Sequence, residues 1–111
     1  MLGRLSEEEE SVIKRFKEAL LERFPDKVVS VLVYGSKARG DFHDESDIDV
    51  LVIVRDSDWR FADQVRKIGY ALDEAIDYRL SIQVMSEDKI AYLREKNFQF
   101  AQNLFRDAVS A

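Results

Sequence analysis

The sequence predicts an α/β (α+β) domain, with helices packed on a small β-sheet. Three observations predict it. Two short apolar runs, Val28–Tyr34 and Ile48–Val54, are rich in β-branched residues, and a third, Leu80–Met85, alternates apolar and polar positions. Between and around them lie segments whose apolar residues recur at helical spacing. The middle run is apolar on both faces, which marks a central strand covered on two sides. The resulting order, α-β-α-β-α-β-α, places helices on a sheet.

Ser6-Glu7-Glu8-Glu9 reads as a capping box, and its acids suit the positive end of a helix. Val12, Ile13, Phe16, Ala19, Leu20 and Phe24 give that helix its apolar stripe, and Pro25 ends it. It reads as a covering helix. Val28–Tyr34 reads as a buried strand, Lys37–Gly40 as one or two helical turns and Asp41–Ser46 as a polar loop. Along Ile48–Val54 and the Asp47 that precedes it, Asp47, Asp49, Leu51 and Ile53 share one face, so two acids stand at the solvent end of a buried surface. Asp56-Ser57-Asp58 reads as a helix start. Phe61, Ala62, Val65, Ile68, Leu72 and Ile76 form the stripe that follows. On Leu80–Met85 the polar face carries Ser81 and Gln83. Ser86-Glu87-Asp88 can cap the last helical region. There Ile90 and Leu93, then Phe98, Ala101, Leu104, Phe105 and Ala108, fit one bent helix or two short ones. Phe98 and Phe105 lie on one stripe and Phe100 falls off it, so Phe100 is either core or a docking residue for a partner or a second copy.

At 111 residues the chain reads as one domain, residues 1–111, and 46% apolar residues suffice for a core. Seventeen basic against 22 acidic residues give a net charge of -5, which argues against general nucleic-acid binding. Cysteine is absent, which excludes disulfide and zinc-thiolate chemistry and suits a cytoplasmic protein. No apolar run approaches the ~20 residues of a membrane span. The acidic N-terminus lacks the basic and apolar regions of a signal peptide.

The chemistry concentrates in Val33–Val54. Gly35 permits a tight turn and close backbone approach of a ligand. Ser36 offers a hydroxyl and an N–H at an expected helix N-terminus, a natural phosphate site. Asp47 and Asp49 stand about 6.6 Å apart at their Cα atoms on one strand face. Two adjacent carboxylates repel unless a cation lies between them, and hard oxygen ligands favour Mg²⁺ or Mn²⁺. Arg39 matches phosphate oxygens through its fork. His43 reads as a surface residue, and Tyr34 as core or as a base-stacking ring. Gly35 and Gly40 have P-loop spacing, but Asp41-Phe42 replace the Lys-Ser/Thr pair. Asp47-x-Asp49 is not a calcium loop, because an apolar strand follows it.

Gly35-Ser36, Arg39-Gly40 and Asp47-Ile48-Asp49 together resemble the signature of the DNA polymerase beta-like nucleotidyltransferase superfamily, and most closely its minimal nucleotidyltransferases. The resemblance implies a mixed sheet. It also implies transfer of a nucleoside monophosphate, AMP by preference, from an NTP such as ATP held with Mg²⁺ to a hydroxyl. Asp47 and Asp49 become metal-binding and catalytic residues, and Gly35, Ser36 and Arg39 nucleotide-binding ones. Such domains resemble the antitoxin half of toxin–antitoxin pairs, which implies a helical HEPN-type partner carrying an acceptor tyrosine. A homo-oligomer is also compatible. The family pattern has a third acid on a later strand. Leu80–Met85 has Ser81 and Gln83 there instead. Asp77 is the nearest preceding carboxylate, a third catalytic acid if the strand starts early and otherwise a turn residue, while Glu87 and Asp88 follow. The incomplete acid set also fits a binding module that acts by docking.

Overall fold

Ser6 caps the first helix, α1 (Glu7–Arg23), by accepting from Glu9 N–H at 3.1 Å while Glu9 Oε1 accepts from Ser6 N–H at 2.8 Å. The chain then forms β1 (Val28–Tyr34), β2 (Ile48–Val54), α2 (Trp59–Leu72), a 3₁₀ turn at Asp73–Ile76, β3 (Leu80–Ser86), α3 (Glu87–Glu95), α4 (Gln99–Asp107) and β4 (Val109–Ser110). This computed structural model describes residues 5–35, 47–96 and 99–111, without the side chains of Phe100 and Asp107. The expected helical turns at Lys37–Gly40 and the loop Asp41–Ser46 lie outside the described residues. So do Ser36, Arg39, His43 and Phe98, and the proposed role of the Phe100 side chain.

The described strands form one mixed sheet in the order β3-β2-β1-β4. β1 runs antiparallel to both β2 and β4, and β2 runs parallel to β3. The mixed sheet expected from the resemblance is therefore present. β2 is central because its side chains are apolar on both faces, and Val50, Leu51 and Val52 are fully buried. One face meets α1 and α2 in the larger core, where Ile13, Phe16, Leu20 and Val65 pack on Val31, Val33, Val50 and Ile82. On the other face Leu51, Ile90 and Leu104 form a smaller core with Tyr34, Ile53 and Met85. α2 lies close because Gly69 meets Ile82 and Phe16 where a side chain would stand.

Three details differ from the sequence reading. The stripe running through Ile76 is not one helix, since α2 ends at Leu72 and a 3₁₀ turn carries Ile76 inward. The last helical region takes the two-helix form, one of the two expected, but Ala108 lies beyond both helices. Val109 and Ser110 then pair with Val33 and Leu32, a fourth strand too short to leave a pattern.

Candidate active site

The strand directions bring the end of β1, the start of β2 and the start of β3 to one edge of the sheet. Tyr34 pairs with Asp49 across β1 and β2, so Gly35 turns directly beside Asp49. Gly35 has φ +76°, a left-handed conformation that side-chain-bearing residues rarely adopt. The space a Cβ at Gly35 would need is filled by the Asp49 carboxylate. The small residue at 35 thus seats the acid as well as making the turn.

Asp49 is half-buried and Asp47 exposed, on the face that carries Leu51 and the smaller core. Tyr34 is half-buried beside them, and burial, then the Asp49 negative charge, raises its phenol above the usual tyrosine range. It packs on the smaller core next to Asp49, so packing accounts for it.

The β2–β3 register decides what stands next to the acids. Asp49 pairs with Ser81 and Leu51 with Gln83. Parallel neighbours project side chains to the same face, so Ser81 stands about 4.8 Å along the sheet from Asp49. β3 begins at Leu80, three residues after Asp77. Asp77 itself is exposed, with φ 58° and ψ 38°, where it caps the 3₁₀ turn by donating its N–H to Glu74 O at 3.2 Å. Among the described residues, no group of three His, Asp or Glu side chains gathers to hold a metal. Ser36 and Arg39 lie outside the described residues, so the site is described from Gly35, Asp47 and Asp49.

Hydrogen bonds tie the floor of this edge together. Arg79 donates from Nη1 to Glu9 Oε2 at 2.7 Å and from Nε to Ile76 O at 2.8 Å. Its carbonyl accepts from Ile48 N–H at 2.8 Å. The Arg79–Glu9 pair, with Glu9 only 3% exposed, ties the start of α1 to the start of β3. Sequence reading gave Glu9 a capping role alone. The pairing has no sequence signal, because 70 residues separate the two. Asp73, which no sequence pattern singles out, is also buried. It is 1% exposed, and burial raises its carboxyl despite hydrogen bonds from the Leu80 and Asp73 N–H groups.

A cavity of about 400 Å³ opens elsewhere, lined by Lys27, Asp56, Ser57, Asp58, Phe61, Ser86 and Asp88. It lies at the far end of β2, roughly 20 Å from Asp47 by strand length. Its polar groups have structural work. Asp58 caps α2 through Phe61 N–H at 2.8 Å, and Ser86 caps α3 through Lys89 N–H at 3.1 Å. Both helix starts expected from the sequence are present.

Comparison with known proteins agrees with this fold. A family model described as a nucleotidyltransferase domain matches residues 13–103, and the chain belongs to that family. It is 30% identical over 99 residues, 89% of this chain and 93% of the relative, to a protein of Methanocaldococcus jannaschii provisionally named a protein adenylyltransferase. A second protein of that organism, with the same provisional name, is 44% identical over 45 residues, 40% of this chain and 46% of the relative. Two crystal structures share the fold. One is of a provisionally assigned nucleotidyltransferase from Sulfolobus solfataricus, with TM-score 0.50 and 22% identity over 99% of this chain and 90% of that one. The other is a toxin–antitoxin with AMP-PNP, with TM-score 0.58 and 19% identity over 87% of this chain and 69% of that one. Among the described residues, no helix is long and apolar enough to cross a membrane.

Proposed function

We propose that this domain binds ATP with a divalent cation at the Gly35–Asp49 edge and transfers AMP to a hydroxyl on a protein partner. The observation that carries the reading is the seating of the Asp49 carboxylate against Gly35, beside Asp47. The donor set fits a hard cation, because two carboxylates share one strand face at the start of β2. Asp47 and Asp49 would hold Mg²⁺ or Mn²⁺. Gly35 and Ser36 would cradle the β- and γ-phosphates, with Arg39 as a further phosphate contact. When bound, the cation supplies charge neutralisation on the triphosphate. The acceptor oxygen forms a bond to the α-phosphorus, the bond to the bridging oxygen breaks, and pyrophosphate carries away the negative charge. The hydroxyl proton passes to a base, for which Asp77 is the candidate third acid. The relatives named as protein adenylyltransferases support a protein acceptor, and the toxin–antitoxin neighbour supports a protein partner. The motif resemblance makes that partner a helical HEPN-type protein with an acceptor tyrosine.

A second reading is a nucleotide-binding docking module with weak or no transfer. Ser81 favours it, because the register puts a hydroxyl beside Asp49 where another carboxylate would complete the acid set. Incubation with labelled ATP, Mg²⁺ and the neighbouring gene's product tests both. Labelled partner supports transfer, and Mg²⁺–ATP binding without label supports the docking module. Absence of both label and binding would contradict the nucleotide reading.

A further inference from the structure

Asp77 and Tyr78 are consecutive left-handed residues, each with φ 58°, and neither is glycine. Side chains make that conformation costly, and a bulky one makes it an outlier. Packing does not offset the cost at Tyr78, which is 66% exposed. The turn is nevertheless held firmly. Tyr78 N–H donates to Asp73 O at 2.9 Å, and the next residue, Arg79, is fixed by its bonds to Ile76 O and Glu9. Such strain persists where the surroundings over-determine it, and it clusters at ligand sites.

The location gives the strain a use. β2 and β3 run parallel, and Ile48 pairs with Leu80. Asp47 therefore lies next to Arg79, and the Tyr78 backbone stands within about 9 Å of the Asp47 backbone, given strand spacing and residue rise. An exposed aromatic ring is thus anchored at the same sheet edge as Gly35, Asp47 and Asp49. Asp47, Asp49 and Asp77 lie at this edge, and the guanidinium of the adjacent Arg79 is bonded to Glu9, which suits an uncharged flat partner at position 78 better than a second phosphate. We propose that Tyr78 is the stacking platform for the base of a nucleotide whose phosphates lie at Gly35. This rests on the nucleotide reading above and adds a base-binding residue to it.

Calorimetry with Mg²⁺–ATP and with Mg²⁺–tripolyphosphate, which has no base, separates the parts. Tyr78→Ala is expected to weaken ATP binding about 5- to 100-fold, the range of one base–aromatic stack. Tripolyphosphate binding should be unchanged, and Tyr78→Phe should keep ATP affinity. Tyr78→Gly relieves the backbone, so it should match or exceed wild-type melting temperature while losing ATP affinity as Tyr78→Ala does. Unchanged ATP affinity in folded Tyr78→Gly, or an equal loss for tripolyphosphate, would overturn the platform. Failure of wild type to bind either ligand would instead overturn the nucleotide reading.

Discussion

At position 35 a methyl group and the Asp49 carboxylate would occupy the same space. A side chain there also meets the cost of φ +76°, of order 1–3 kcal/mol. Gly35→Val should therefore abolish Mg²⁺–ATP binding by displacing the acid, whereas Ser36→Ala should only weaken it. Calorimetry on variants with native circular dichroism checks this, and unchanged affinity in folded Gly35→Val would refute the cradle. Asp77 carries the opposite expectation. Its left-handed cap suits glycine, so Asp77→Gly should stabilise the fold by about 1 kcal/mol, a rise of some 4–8 °C in melting temperature. If Asp77 is only a turn residue, transfer by the variant should change little. A loss of ~10²-fold or more, with the fold intact, would make it the third acid.

The elements show which parts of the molecule can be read from sequence. Helix starts were legible because Ser6, Asp58 and Ser86 sit beside the N–H groups they cap, within three residues. The three main strands were legible by length and period, and Gly35, Asp47 and Asp49 by their spacing around the strands. β4 was not, since two residues have no period. The 3₁₀ turn was hidden because Ile76 continues the stripe of α2. What stands beside Asp49 depends on the β2–β3 register, a long-range property that no local pattern encodes. Buried Asp73 belongs to the same class. Its Oδ1 has no hydrogen-bond partner, and burial raises its carboxyl. A raised carboxyl binds its proton more tightly in the folded state than in the unfolded one. Stability from that group is full below the ordinary aspartate range and lost as pH rises through the raised value. Asp73→Asn removes the charge, so it should melt higher than wild type at neutral pH. Melting curves across pH should show that advantage vanish in acid. An advantage independent of pH would mean the charge is not its source.

Across the whole molecule, one sheet serves two unequal cores. The larger, under α1 and α2, gives β2 a fixed backbone. The smaller, under α3 and α4, includes Tyr34, the strand neighbour of Asp49. This division lets acids stand at the end of a strand whose other residues, the half-buried Ile53 apart, are buried. Mg²⁺ keeps several waters and takes substrate phosphates as co-ligands. Protein alone should therefore bind it weakly, and ATP should strengthen the binding. The most direct test is calorimetric titration of wild type and Asp49→Asn with ATP in the presence and absence of Mg²⁺. Wild type should bind ATP far more tightly with Mg²⁺, and Asp49→Asn should lose that Mg²⁺-dependent gain while remaining folded. Equal Mg²⁺–ATP affinity in the two proteins would contradict the account.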